Sequence, residues 1–213
     1  MKVIALLSGG IDSTTLLYHL LAKKHKVIAV SFNYGQRHKK ELEYAKKVCQ
    51  KLKVEQKVVN LSSLKELLHG SALTTPKVEV PAGHYTDATM KATVVPNRNM
   101  IFLSIAGGYA VAEKADMLAI AVHAGDHPIY PDCRPQFIES FLKALNLGNY
   151  HQVKVYAPYL NKTKTEIVQE GLKLGIDYEK ETWSCYVGAK RPCGKCGTCV
   201  EREEALALAK RGR

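Results

Sequence analysis

Four cysteines near the end of the chain, Cys185, Cys193, Cys196 and Cys199, follow the pattern C-x7-C-x2-C-x2-C. Four thiolates in one compact segment can surround a tetrahedral ion and leave no coordination position open, which is the chemistry of a structural zinc site. Gly194 and Gly197 lie inside the two short steps, where tight turns are needed, and Lys190, Arg191 and Lys195 place positive charge beside the thiolates. An iron–sulfur cluster also uses four cysteines; the compact spacing favours one Zn2+ per subunit. Removing that ion is expected to destabilise the C-terminal segment, since ligands that converge only on folding turn metal affinity into folding free energy. Of the other cysteines, Cys49 falls on the apolar stripe Leu42, Ala45, Val48, Leu52 and reads as a small core residue, and Cys133 sits in the string Tyr130-Pro131-Asp132-Cys133-Arg134.

A second chemical feature is the run Leu7-Ser8-Gly9-Gly10-Ile11-Asp12-Ser13-Thr14-Thr15, at a strand-to-helix junction. Two glycines let the backbone turn sharply and approach a ligand closely. The unpaired N–H groups at the following helix start, beside Ser and Thr hydroxyls, suit a pyrophosphate. The run is neither G-x-G-x-x-G nor G-x-x-x-x-G-K-[ST], so a dinucleotide fold and a Walker NTPase both lose support. A plain turn capped by Ser8 or Asp12 is the structural alternative. The full string S-G-G-x-D-S is similar to the signature of the PP-loop ATP pyrophosphatase superfamily. That resemblance implies an ATP site over Leu7 to Leu17 (including Thr14, Thr15, Leu16 and Leu17), with Ser8, Gly9, Gly10, Asp12 and Ser13 on the pyrophosphate. It further implies an adenylated substrate and release of AMP.

The elements that must position these groups alternate. Strand-like runs at Lys2 to Leu7, Lys26 to Phe32 and Gln56 to Leu61 enclose helical patterns at Ser13 to Lys24 and Arg37 to Leu52. A β-α-β-α-β series predicts a parallel sheet with right-handed crossovers and helices on both faces. The pattern dissolves into Gly, Pro and Thr between His69 and Pro96, a stretch long enough to predict a mobile or substrate-covering segment. It resumes with a helix over Asn99 to Lys114, a strand over Met117 to Val122 and a helix over Pro135 to Leu145. A strand over Val153 to Ala157, a helix over Thr163 to Leu174 and a last helix over Val200 to Lys210 complete the series. The expected architecture is a doubly wound α/β fold with a mainly parallel five-stranded sheet, Rossmann-like. Residues 1–180 would form the nucleotide-binding domain and 181–213 a helical zinc-binding segment packed on it.

With 46% hydrophobic residues the chain can bury a core, and no apolar run reaches the roughly 20 residues of a membrane helix. The apolar stretch Val3 to Leu7 is too short for a signal peptide, so a cytoplasmic location is expected. The formal charge of +11 favours an anionic partner, either nucleic acid or the phosphates of a small substrate. Lysines on apparent helix faces, such as Lys39, Lys40, Lys46, Lys47 and Lys51, are explained by solubility.

Further strings narrow the reading: Phe32-Asn33-Tyr34-Gly35-Gln36-Arg37-His38, Val95-Pro96-Asn97-Arg98-Asn99, Tyr130 to Arg134, Pro158 to Glu166, and Thr182-Trp183-Ser184-Cys185-Tyr186. Nearly all follow a predicted strand, where ligands of doubly wound sheets bind. Together with the glycine loop and the cysteines, they make the chain resemble the 7-cyano-7-deazaguanine synthase (QueC) family over nearly its whole length. The resemblance implies an adenine nucleotide alpha hydrolase-like fold, a homodimer and a reaction joining 7-carboxy-7-deazaguanine and ammonia into a nitrile with two ATP and Mg2+. Nucleic acid would not be required. Arg98, Arg134 and Lys164 are the basic candidates for phosphates or the substrate carboxylate. Asp132 is a candidate for the exocyclic amine or Mg2+, with a structural ion pair as the alternative for Asp132 and Arg134. Tyr34, Gln36, His123 and Asp126 are candidate substrate contacts. Two places differ from one form of the family: Asn97 stands where that form has a glycine, and Val122 to Ile129, with His123 and Asp126, falls where it has a Glu-x-Asp string. The rival readings are a PP-loop thiolase-like enzyme adenylating a base in RNA and a non-enzymatic zinc-knuckle nucleic-acid-binding module. The glycine loop and the polar strings past the strands speak against the latter.

Overall fold

The computed structural model describes residues 1–75, 77–84 and 91–211. Five strands, β1 (Lys2–Leu6), β2 (Lys26–Asn33), β3 (Glu55–Asn60), β4 (Met117–Ala119) and β5 (Lys154–Tyr156), form one sheet in the order β3-β2-β1-β4-β5, with every pairing parallel. Among the described residues seven α-helices cover it: α1 (Ile11–Ala22), α2 (Lys40–Leu52), α3 (Arg98–Ala112), α4 (Pro135–Leu147), α5 (Lys164–Lys173), the short α6 (Tyr178–Glu181) and α7 (Gly197–Arg211). Side chains alternate across a strand, so β1 feeds two cores. Ile4 joins Ile28, Val30 and Leu118 under Leu103, Ala106 and Phe141 of α3 and α4. Val3 and Ala5 join Val27, Ala29 and Met117 under Leu16, Leu17, Leu20, Val48 and Ile167 of α1, α2 and α5. This is the expected doubly wound arrangement. The strand order reverses between β1 and β4, and the chain leaving each diverges to open a crevice at the carboxyl edge.

Several boundaries differ from the periodicity for identifiable reasons. β4 stops at Ala119; after the Ile120 N–H bonds the Tyr156 carbonyl at 3.0 Å, the chain swings into a 3-10 turn at Ala124–Asp126. The helix expected from Arg37 begins at Lys40 because the preceding loop is fixed otherwise. Gln36 Nε2 donates to the Phe32 carbonyl at 3.2 Å, its Oε1 accepts the Tyr34 N–H at 2.9 Å, and Arg37 NH2 donates to the Thr75 and Val78 carbonyls.

Much of the stretch expected to be mobile is anchored. Leu73 and Val95 are buried in the core, the Gly83 N–H donates to the Lys195 carbonyl at 2.7 Å, and Ala82 pairs with Cys196. Pro76 and residues 85–90 of that stretch lie outside the described residues, as do Gly212 and Arg213 of the basic tail. The last helix starts at Gly197, earlier than periodicity implied, and its Ala205 and Ala209 share an apolar cluster with Ile11, Val168, Ile176 and Tyr178. The C-terminal segment is thus built into the side of α1 and α5.

The glycine loop is held by contact with α2. Gly9 has φ +92°, and a Cβ there would lie 2.1 Å from the Glu41 carbonyl oxygen. Its own carbonyl accepts the Trp183 N–H at 2.9 Å. Gly9→Ala combines a left-handed backbone with a clash against a helix and is expected to lower the unfolding free energy by about 2–4 kcal/mol. Urea denaturation followed by circular dichroism would measure it; a variant within 0.5 kcal/mol of the parent, roughly the scatter of neutral surface changes, would show that the loop packs differently.

Candidate active site

The crevice between β1 and β4 opens into a cavity of about 250 Å3. The glycine loop lines one part through Leu7, Ser8, Gly10, Ile11, Asp12 and Ser13. Its hydroxyls are organised around one another: Ser8 Oγ and Ser13 Oγ stand 3.0 Å apart, Ser13 Oγ accepts the Ser8 N–H at 3.2 Å, and Ser8 Oγ accepts the Gly10 N–H at 3.2 Å. The first N–H groups of α1 have no partner inside the helix, so loop and helix start together present donors to an anion. Not all of the expected ATP stretch faces the cavity. Thr14, Thr15, Leu16 and Leu17 point into the protein, where Thr15 Oγ1 bonds the Ile11 carbonyl and Tyr178 Oη, and the leucines pack beneath β1. Gly9 also does not line the cavity; its glycine character serves the approach to α2.

Arg98, the first residue of α3, lies among Tyr34, Tyr130 and Tyr186. Burial disfavours its charge, but the phenolic oxygens of Tyr34, Tyr186 and Tyr130 and the Asp132 carboxylate more than compensate and hold it firmly protonated. Phe32 and Phe102 stack 4.2 Å apart with nearly parallel rings beside Tyr34, giving this part of the cavity flat aromatic walls. Arg98 is aimed by its neighbours: Asn97 takes φ 57°, a left-handed conformation asparagine tolerates, and Asp132 Oδ2 accepts the Asn99 N–H at 3.0 Å.

Asp132 therefore serves as a cap on α3 and as countercharge to Arg98, and it does not line the cavity. Arg134 is likewise turned away. It is exposed, and its Nε donates to the His127 carbonyl at 2.8 Å. Neither lines the cavity, and in place of the ion pair expected as the alternative, Asp132 turns to the start of α3 and Arg134 to the His127 carbonyl.

Lys164, the first residue of α5, carries the second half-buried cation. Its Nζ lies 2.8 Å from Glu201 Oε2 and 3.4 Å from Asp12 Oδ2. Burial opposes its charge, and Asp12, Glu201 and Asp126 outweigh that opposition. His123 is buried behind them. Its Nδ1 accepts the Gly125 N–H at 3.1 Å, so the neutral ring carries its proton on Nε2, facing Asp126 Oδ1 at 3.5 Å and Asp12 Oδ2 at 3.9 Å. Burial pushes the Asp126 carboxyl up from its usual range. Asp126, Tyr34 and Gln36 line the cavity, whereas His123 supports it from behind. The 3-10 turn Ala124–Asp126 carries a reciprocal cap between His123 and Asp126, which fixes both side chains.

Residues with no signal at the level of spacing also line the cavity: Glu41 at the start of α2, and Thr198, Glu201 and Arg202 of α7. Arg202 ties α7 back to the chain before the cysteines through Thr182 Oγ1 at 2.7 Å and the Tyr178 carbonyl. Trp183 and Tyr186 line the cavity as well; Arg191 is exposed.

The four cysteine sulfurs lie within 4.8 Å of one another. Sulfurs bound to one ion at about 2.3 Å stand about 3.8 Å apart in a tetrahedron, and Cys193–Cys199 at 3.9 Å and Cys196–Cys199 at 3.5 Å match that spacing. Backbone N–H groups of Lys195 and Cys196 point at the Cys193 sulfur, at 3.4 and 3.3 Å, as they do toward thiolates. Gly194 at φ 67° supplies the turn between two ligands, while Gly197 opens α7. The donor set fits a four-coordinate metal.

Comparison with known proteins agrees with this layout. A family model described as "Queuosine biosynthesis protein QueC" matches residues 2–210. A protein named 7-cyano-7-deazaguanine synthase from Hahella chejuensis is 53% identical over 205 residues, covering 96% of this chain and 88% of that protein. One of the same name from Caldicellulosiruptor bescii is 53% identical over 206 residues, covering 97% and 92%. Among solved structures, the U34-tRNA thiolase NcsA from Methanococcus maripaludis, described with its 4Fe-4S cluster, superposes with a TM-score of 0.53 at 20% identity, over 99% of this chain and 66% of that one. The NH3-dependent NAD synthetase from Campylobacter jejuni gives 0.51 at 18% identity, over 99% and 75%. At such identities these two share the PP-loop fold alone.

Lys164→Met would leave Asp12, Glu201 and Asp126 facing one another without their common cation. We expect a loss of about 3 kcal/mol, discounted for the part of Lys164 that water reaches, with partial recovery in Lys164→Met/Asp12→Asn. Chemical denaturation of the three proteins tests this, and equal instability of single and double variants would count against the network.

Proposed function

The chain belongs to the QueC family, and from that premise we propose that it is an ATP-dependent carbon–nitrogen ligase making 7-cyano-7-deazaguanine from 7-carboxy-7-deazaguanine and ammonia. The observation that carries this reading is one cavity that joins a pyrophosphate-type loop to a half-buried arginine between flat aromatic walls, in a chain similar from end to end to proteins of that name. A planar heteroaromatic acid suits Phe32, Phe102, Tyr34 and Tyr130, with Arg98 meeting its carboxylate by charge-assisted hydrogen bonds.

A carboxylate resists nucleophiles because it is already negative. Transfer of AMP to its oxygen supplies a leaving group, and ammonia then gives the amide. A second adenylation, on the amide oxygen, allows loss of AMP and a proton to leave the nitrile. The protein's share is placement and charge stabilisation. Ser8, Gly10, Ser13 and the first turn of α1 hold the phosphates, Lys164 offsets charge developing on them, and Arg98 orients the carboxylate toward the α-phosphorus. Asp12, whose buried Oδ1 has no hydrogen-bond partner, is suited to Mg2+. When bound, that ion would neutralise phosphate charge. The four cysteines would hold one Zn2+ in a structural role. The reading includes a cytoplasmic homodimer that needs neither nucleic acid nor membrane; among the described residues no helix is long and apolar enough to cross one.

Incubating the protein with the carboxylate, an ammonium salt and MgATP, without RNA, should release AMP and form the nitrile. AMP release that requires RNA would favour the RNA-adenylating alternative instead. Arg98→Ala should fold, by circular dichroism, yet lose about 1,000-fold in kcat/KM; wild-type kcat/KM in that variant would remove Arg98 from the site. Metal analysis should return one zinc per chain, and chelation should lower the melting temperature and the α7 helical signal; iron with sulfide would replace the zinc assignment.

A further inference from the structure

His38 is the least satisfied polar side chain beside the cavity. Its ring is buried, with side-chain exposure of 1%, and both ring nitrogens lack a hydrogen-bond partner among the described residues. Buried polar atoms are nearly always paired, and an exception asks for a functional reason. The ring cannot simply turn outward. Gly188 packs so closely that a Cβ there would lie 2.8 Å from His38 Cβ, and the Tyr186 ring stands 5.5 Å from the imidazole. The neighbours Gln36 and Arg37 are bonded to the backbone on either side, which fixes the loop. The charged group that His38 faces is Glu41, with Nε2 to Oε1 at 3.5 Å.

Glu41 in turn lines the cavity, and its backbone touches the position of Gly9 in the phosphate-type loop. Asp12, Asp126 and Glu201 gather around Lys164 and His123, whereas among the described residues the ion-pair partner of Glu41 is His38. A carboxylate beside a phosphate loop is repelled by an anionic nucleotide unless a cation comes between them. The reaction brings such a cation. At neutral pH the nitrogen donor is ammonium, and attack on the acyl-adenylate must discard two protons: acyl-adenylate and ammonium give the amide, AMP and 2 H+, with the C–N bond formed and the C–O bond to the phosphate broken. Passage from the adenylated amide to the nitrile discards one more proton from the same nitrogen as the C–O bond to AMP breaks.

We propose that Glu41 is the ammonium-binding residue and proton acceptor of this site, and that His38 is the positioning residue that holds Glu41. The proposal rests on the synthase reading and adds to it the site of the nitrogen donor.

The test separates adenylation from nitrogen transfer. Exchange of labelled pyrophosphate into ATP, driven by the carboxylate substrate without ammonia, reports the first; amide and nitrile formation report the second. Glu41→Gln should keep exchange within about threefold of wild type while ammonia-dependent product formation falls about 100-fold or more, the scale of a lost general base. Hydroxylamine, an amine already neutral at the working pH, should restore product formation, as hydroxamate, to near the wild-type rate. Glu41→Asp should recover part of the ammonia reaction. His38→Asn should show the same pattern with a smaller loss, about 10-fold, and with exchange unchanged. Equal losses with ammonia and hydroxylamine, or loss of exchange in parallel with product in a variant of unchanged melting temperature, would overturn the proposal. If the wild-type protein itself gives neither exchange nor AMP with the carboxylate, the synthase reading fails and the proposal with it.

Discussion

The molecule must keep two half-buried cations at the positive ends of helices. Arg98 opens α3 and Lys164 opens α5, where the helix macrodipole and the unpaired N–H groups repel positive charge. Burial adds several kcal/mol of desolvation to that repulsion. Such an arrangement persists only if carboxylates are delivered to both places, and much of the carboxyl edge is organised to do so. Asp132 is brought to α3 by the 3-10 turn Pro131–Cys133 and takes both the helix N–H of Asn99 and the charge of Arg98. At α5, Thr163 and Glu166 close a capping box over the free N–H groups, while Asp12 and Glu201 approach the ammonium from other elements. Placing cations against the helix field is costly as architecture and useful as chemistry, because an anionic ligand entering the cavity relieves it.

This constraint explains why the cysteine segment belongs to the site. Glu201 reaches Lys164 only because α7 starts at Gly197, directly after Cys196, and carries Cys199 in its first turn. Arg202 secures the same turn to Thr182, Ser184 and Tyr178, just before Cys185. A metal held by the four cysteines fixes the start of α7 from both sides, and with it the carboxylate that neutralises Lys164. A closed coordination sphere can therefore matter to the cavity without touching a ligand in it.

The sheet and the cysteines were legible because they rest on local rules. Buried parallel strands read as apolar runs, and metal spacing is a property of one short segment. Of the glycine string, spacing located the loop, but only part of the string faces the cavity. Thr14 to Leu17 continue the run of small and apolar residues, yet helical periodicity turns them inward, and Gly9 is small for the sake of α2. Asp132 and Arg134 looked alike in one string, although a 3-10 turn sends their side chains to different surroundings. Glu41 and Glu201 were invisible for a different reason. Each is an ordinary acid near the start of a polar helix, and only the packing of α2 on the loop and of α7 on α5 carries it to the cavity.

Positions 97 and 123 are constrained in different ways. At position 97 the requirement is a backbone one: φ is 57° where α3 begins, and asparagine meets it with little strain where glycine meets it with none. Arg98 keeps its aim either way. At position 123 the requirement is electrostatic. Asp12, Asp126 and Glu201 already share a single lysine, and another carboxylate at His123 would add like charge to a buried cluster. An imidazole oriented by the Gly125 N–H instead turns its Nε2 toward Asp126 and Asp12. The ring thus stands beside the pair without adding a further carboxylate to the cluster.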